Sequence, residues 1–70
     1  MRTFTISQIK AHFKGELYSD CPEFIGHLVH NKILIKIRMN QYTYDLSKLN
    51  RVVITEIQME IRRKLLTYNR

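Results

Sequence analysis

The chain predicts a small α+β domain in the order strand, helix, helix, strand, strand, helix. Three observations carry that expectation. Side-chain patterns that start helices recur ahead of apolar stripes. The stretch KILIKIRMNQYTYDL, residues 32–46, alternates apolar and polar on both sides of Asn40-Gln41. Ile54, Ile57, Ile61, Leu65 and Tyr68 recur at helical spacing near the end.

The first segment, Arg2 to Thr5, is β-prone and reads as a brief strand. Thr5 and Gln8 then have the spacing of a capping box, in which two side chains satisfy orphan backbone amides reciprocally. They open a helix over residues 6–14, with Phe4 and Ile9 available as a hydrophobic staple. Ile6, Ile9 and Phe13 share one face, and Gly15 is the natural stop. Asp20 and Glu23 form an aspartate version of the box, opening a second helix over residues 22–30. Pro22 suits its first turn, where the missing amide costs nothing. Phe24, Ile25, Leu28 and Val29 make its buried stripe, and Glu23, Gly26, His27 and His30 make the opposite face. Asn31 can adopt the left-handed conformation that ends the helix.

A hairpin follows. A two-residue turn at Asn40-Gln41 sets Met39 opposite Tyr42, Ile37 opposite Tyr44 and Ile35 opposite Leu46, all on an apolar face. On the reverse face Arg38 meets Thr43 and Lys36 meets Asp45, an opposite-charge pair. A four-residue loop keeps the same parity. The last helix spans residues 51–68, with Arg51 to Ile54 either its first turn or a short strand before a further capping box of Thr55 and Gln58. A second stripe of Val52, Met59 and Leu66 lies nearly opposite the first and reads either as a homodimer contact or as scattered surface apolars.

At 70 residues this is one domain, and such a chain buries only about 60% of its unfolded surface. Cys21 stands alone, so no internal disulfide forms, as suits a reducing compartment. No apolar run approaches the ~20 residues of a membrane helix. The N-terminus lacks the apolar core of a secretory signal, so the expected location is cytoplasmic, with no membrane partner. Nine isoleucines, six lysines and four asparagines suggest an A/T-rich coding sequence, as in phage or low-G+C microbes. The formal net charge of +6 favours a polyanion such as nucleic acid, or an acidic protein surface; solubility is the plainer alternative.

From Thr3 to Leu46 the element order resembles a winged helix-turn-helix. The segments are TISQIKAHF for one helix, CPEFIGHLVHN for the next, and ILIKIRMNQYTYDL for the wing. The resemblance implies that Pro22 to His30 enters a DNA major groove and that Asn40-Gln41 tips the wing toward a neighbouring backbone. The usual first helix is missing, GELYSD is longer than a tight turn, and the recognition face lacks Arg or Lys. The order also resembles a KH domain, whose Gly-x-x-Gly loop corresponds here to Gly15 through Tyr18 without the second glycine.

The expected nucleic-acid contacts are Lys10, Lys14, Lys32, Lys36 and Arg38 on phosphates, with His27, His30 and Asn31 nearest the groove. Tyr42 and Tyr44 could stack on bases, but the hairpin pattern places them in the core. Arg51, Arg62, Arg63 and Lys64 form a separate basic group. Cys21, His27 and His30 make a weak metal pattern with no second cysteine, so no metal or cofactor is expected. No nucleophile with a positioned base and no glycine-rich phosphate loop is present, so no enzyme is expected. The sequence therefore points to a small regulatory DNA-binding protein. The alternative is a phage-type inhibitor or adaptor that docks an acidic protein surface without nucleic acid.

Overall fold

The computed structural model describes residues 2–68. Three helices pack beside a two-stranded antiparallel sheet: α1 (Ile6–His12), α2 (Pro22–His30), β1 (Leu34–Arg38), β2 (Gln41–Tyr44), a 3-10 turn (Leu46–Lys48) and α3 (Arg51–Tyr68). The first expected strand contracts to one bridge, in which Phe4 and Tyr42 exchange both backbone hydrogen bonds at 2.7 and 2.9 Å.

Local chemistry sets the helix limits. The Thr5 hydroxyl accepts from the Gln8 amide at 3.2 Å, and the Gln8 side chain accepts from the Thr5 amide at 2.9 Å, so the first capping box forms. The helix ends at His12, two residues short of expectation. Phe13 leaves helical geometry and packs its ring on Phe24 at 5.3 Å. Gly15 (φ 95°) and Tyr18 (φ 66°) then turn the chain in the left-handed region, so Gly15 shapes the following loop rather than stopping α1.

The second helix has the expected limits but a different cap. Cys21 occupies the N-cap position and no side chain caps there, because Pro22 takes the first helical position and leaves Asp20 one residue too early. At the other end Asn31 keeps a negative φ, and its side-chain amide donates to the His27 carbonyl at 2.8 Å. Lys32 takes the left-handed conformation instead (φ 64°). The amide of Lys32 bonds to the Val29 carbonyl and that of Ile33 to Leu28, both at 3.0 Å. This is a Schellman cap, and its apolar contact partners, Ile33 and Leu28, are both fully buried.

The third helix starts at Arg51, where Asn50 Oδ1 accepts from the Val53 amide at 3.0 Å. Thr55 and Gln58 lie inside it. Ile54, Ile57 and Ile61 are buried as the stripe predicts, whereas Leu65 is 39% exposed. The side chain of Tyr68, the stripe's last member, lies outside the described residues.

The hairpin forms with a different register. Leu34 pairs with Tyr44, Ile35 with Thr43, Lys36 with Tyr42 and Arg38 with Gln41, with a bulge between Lys36 and Arg38. The turn sits at Met39-Asn40, one residue earlier than expected. Asn40 adopts φ 55°, a conformation asparagine tolerates well, and its Oδ1 accepts from the Ile6 amide at 3.0 Å. The turn thus caps α1 instead of projecting freely as a wing tip. The shift reverses the faces of β1: Leu34 is buried, while Ile35, Ile37 and Met39, expected in the core, are 43, 41 and 86% exposed; Tyr42 on β2 is buried as expected. Leu46, expected opposite Ile35, sits exposed in the 3-10 turn.

The core comprises Ile9, Phe24, Leu28, Ile33, Leu34, Tyr42, Ile54, Ile57 and Ile61. Replacing a buried phenylalanine with alanine costs about 3–5 kcal/mol, while a domain of this size holds only about 3–5 kcal/mol in its core. Phe24→Ala is therefore expected to unfold much of the population at room temperature, read by far-ultraviolet circular dichroism. Asn40 gives a finer test. Asn40→Ala loses both the α1 cap and the left-handed preference and should cost about 1–2 kcal/mol, whereas Asn40→Gly loses the cap alone and should cost about 0.5–1 kcal/mol. Equal losses in chemical denaturation would contradict the left-handed contribution, and no loss in Asn40→Gly would contradict the capping role.

Candidate nucleic-acid interface

The hairpin carries most of the candidate phosphate contacts. Tyr42 gives both its backbone groups to Phe4, so its pairing with Lys36 is the non-hydrogen-bonded kind and the three residues form one row across the sheet. At ~4.8 Å between neighbouring strands the row spans about 10 Å. Arg2 places its guanidinium 5.5 Å from the Phe4 ring centre. Arg38 lies opposite Gln41 at the turn, and Lys32 marks the left-handed entry to β1. Lys32, Lys36 and Arg38 are all exposed.

The first helix runs beside β2. Its start is bonded to Asn40, and His12 Nδ1 near its end lies 2.8 Å from the Tyr44 hydroxyl. Lys10 is therefore carried alongside the hairpin. Lys14 is exposed in the loop beyond the helix, so the two lysines are not one turn apart on it.

The fate of the carboxylates decides the character of this surface. Among the described residues the ion pairs are Arg51–Glu16 and Arg63–Glu60. Lys10, Lys14, Lys32, Lys36 and Arg38 thus have no carboxylate partner there. The expected Lys36–Asp45 pair does not form. Asp45 accepts from the Ser47 hydroxyl and, at 3.2 Å, from the Ser47 amide, and these bonds hold its carboxyl below the ordinary range. Glu16 accepts two bonds from Arg51, at 2.9 and 2.6 Å, and one from Gln58 at 3.2 Å. The Arg51 bond is the main reason its carboxyl lies below the usual carboxylate value.

The three α2 residues meet different surroundings. His27, His30 and Asn31 line a groove with Glu56, Glu60 and Arg63 of α3, and the two histidines also border Glu23 and Lys64. Asn31 has committed a side-chain donor to the end of its own helix. This face therefore mixes the carboxylates of Glu23, Glu56 and Glu60 with Arg63 and Lys64 and lacks the uniform positive charge of the hairpin.

One contributor was not singled out from the sequence, and one basic residue has a different role from its neighbours in the chain. Arg2 joins the hairpin through Phe4, and the signal available was its place beside a β-prone segment. Arg51, grouped in sequence with Arg62, Arg63 and Lys64, instead anchors the Glu16 loop, and no local pattern links positions that far apart. Tyr42 is buried, and Tyr44 packs against Phe4 at 5.1 Å and Phe13 at 6.4 Å, so both serve packing as the core reading expects. Among the described residues no three His, Cys, Asp or Glu side chains are placed to hold a metal, and no helix is long and apolar enough to cross a membrane.

Burial pushes the Tyr44 hydroxyl up to about 12 from its ordinary value of 10.0. In the unfolded chain it ionises first, so its stabilising effect is complete below pH 10 and is lost as pH rises toward 12. The melting temperature of the wild type should fall across that window, and Tyr44→Phe should fall less steeply. An identical fall in both would remove Tyr44 as the cause.

No protein-family model, no curated protein and no solved structure matches the chain.

Proposed function

We propose that this chain is a small regulatory DNA-binding protein of winged-helix-like layout, which holds the duplex by its phosphates through the hairpin and α1. The observation that carries the reading is the charge separation. Among the described residues Lys10, Lys14, Lys32, Lys36 and Arg38 are exposed without carboxylate partners, while Glu16 and Glu60 are paired elsewhere and Asp45 is bonded to Ser47. Phosphate contacts of this kind bind by releasing condensed counterions and carry no base preference. The histidines of α2 lie among carboxylates, so base reading by that helix is not part of the proposal.

Titration of a labelled duplex against salt tests it. Three to five phosphate contacts give a slope of about −3 to −4.5 in log affinity against log salt. Lys36→Ala should weaken binding evenly across sequences and reduce the slope by about 1. Lys36→Glu with Arg38→Glu should abolish binding, and His30→Ala should leave it unchanged. No binding at low salt, or a slope near zero, would defeat the proposal.

A second reading has its own observation. Ile33 accepts from the Asp45 amide at 2.7 Å, and Tyr42 is bonded to Phe4, so Leu34 and Lys36 turn their backbone groups away from β2 toward an edge with no further strand. Ile35 and Ile37 are exposed on β1 as well. Such an edge suits an extended acidic segment of a protein partner. Ile35→Lys separates the readings, because an added cation strengthens duplex binding but weakens docking that relies on the apolar side chain.

A further inference from the structure

We propose that a second copy of the chain docks antiparallel along α3, with Met59 against its own counterpart, Val52 against Leu66, and Glu56 against Arg63. This is independent of whether the hairpin binds DNA. Val52, Met59 and Leu66 recur at seven-residue intervals and are 66, 57 and 64% exposed. That interval keeps them within about 20° per step on one face, the spacing of a helix–helix seam. The face lies nearly opposite the buried stripe of Ile54, Ile57 and Ile61, so a second helix can reach it without disturbing the core.

The helix also stands clear of the body. Residues 62–67 are all exposed. The molecule measures 43 × 23 × 21 Å, and its radius of gyration is 12.3 Å. A compact chain of this length would have about 11 Å.

Charge selects both the occupant and its direction. A two-fold axis at Met59 keeps each flank of the seam facing the same flank of the other copy, and on each flank brings together residues at nearly equal distances from the axis on opposite sides. Glu56 and Arg63 are seven apart, so they share a flank, three residues before Met59 and four after it. Each copy's Glu56 therefore meets the other's Arg63, giving two opposite-charge contacts. On the other flank Arg62 meets Thr55, a neutral hydroxyl. Parallel docking would set Arg62 against Arg62. Arg63 now holds Glu60 at 3.0 Å, but both side chains are largely exposed, and a surface pair of that kind is worth little. The seam follows one helix face, well below the ~1,600 Å² of a standard interface, so association belongs at high protein concentration.

Cysteine cross-linking tests the geometry. In a Cys21→Ser background, Met59→Cys should oxidise to a covalent dimer. Val52→Cys and Leu66→Cys should each remain monomeric alone and should cross-link when mixed. Glu56→Arg or Arg63→Glu should each reduce the Met59→Cys dimer, and the two combined should restore it. The substituted α3 positions are on the surface, and circular dichroism checks that each variant is folded. Sedimentation equilibrium of the otherwise unaltered chain supplies a readout that leaves Cys21 intact: a monomer–dimer equilibrium is expected, lost in Met59→Asp. A Met59→Cys variant that stays monomeric, a Val52→Cys variant that cross-links alone, or an unaltered chain that is monomeric at millimolar concentration would overturn the proposal.

Discussion

Phe4 and Tyr42 exchange both of their backbone hydrogen bonds, and this exchange dictates which way the hairpin side chains point. Once Tyr42 faces Phe4 with its amide and carbonyl, β1 meets β2 through Ile35 and Thr43, and through Ile33 and Asp45 just before it. That parity buries Leu34 and Tyr42 and leaves Ile35 and Ile37 in solvent. It also brings the turn to the start of α1, where Asn40 accepts from the Ile6 amide. The segment before α1 thus closes the domain across nearly forty residues. For a chain of this size such closure replaces the disulfide or metal that other small domains use.

The helices were legible in the sequence because the signals that make them are local. Thr5 and Gln8 cap α1 as the spacing predicts, and α2 occupies its predicted limits because proline and the apolar stripe agree. Where neighbouring candidates competed for one role the outcome moved by one residue, Cys21 over Asp20 at α2 and Lys32 over Asn31 for the left-handed turn, and of the two starts open to α3 the earlier is taken because Asn50 caps it. The hairpin was legible as a hairpin, but its register was not. Isoleucines at 33, 35 and 37 make a tidy apolar face, and pattern alone favours burying all three. The structure buries Ile33 and Leu34 because the Schellman cap and the Phe4 bridge fix the strand from outside it. The one local clue was Asn40, which accepts a left-handed turn position more readily than Gln41. Lys36 and Arg38 are exposed in this register as well, although Lys36 now lies opposite the buried Tyr42.

The positive surface owes as much to the placement of six carboxylates as to twelve cations. Glu16 is drawn to Arg51, where it also accepts from Gln58 and ties the loop after α1 to α3. Glu56 and Glu60 line the groove between α2 and α3, beside the histidines. Asp45, the carboxylate nearest the strands, bonds to Ser47 instead of reaching Lys36. Local folding demands therefore remove or occupy the acids near the hairpin, and a modest net charge becomes a locally uncompensated one. The same placement weakens the expected role of α2. Its surroundings mix acidic and basic side chains, unlike those of the hairpin.

A short chain cannot cover all of its apolar side chains, and where the uncovered ones lie is informative. Those on the hairpin, Ile35, Ile37 and Met39, sit among Lys36 and Arg38, so a second copy brought there meets its own positive charge. Those on α3 sit between Glu56 and Arg63, and the sequence reversed against itself finds the opposite charge at each end. The two surfaces thus discriminate between occupants by electrostatics, not by hydrophobicity, since both expose side chains of similar size. Pairing through α3 would leave both hairpins unobstructed by the seam and double the cations available to one polyanion. If the hairpin binds phosphate as proposed, two such surfaces held together act at a high effective concentration, and a marginal self-association then raises the affinity for a long duplex without adding any contact within either domain.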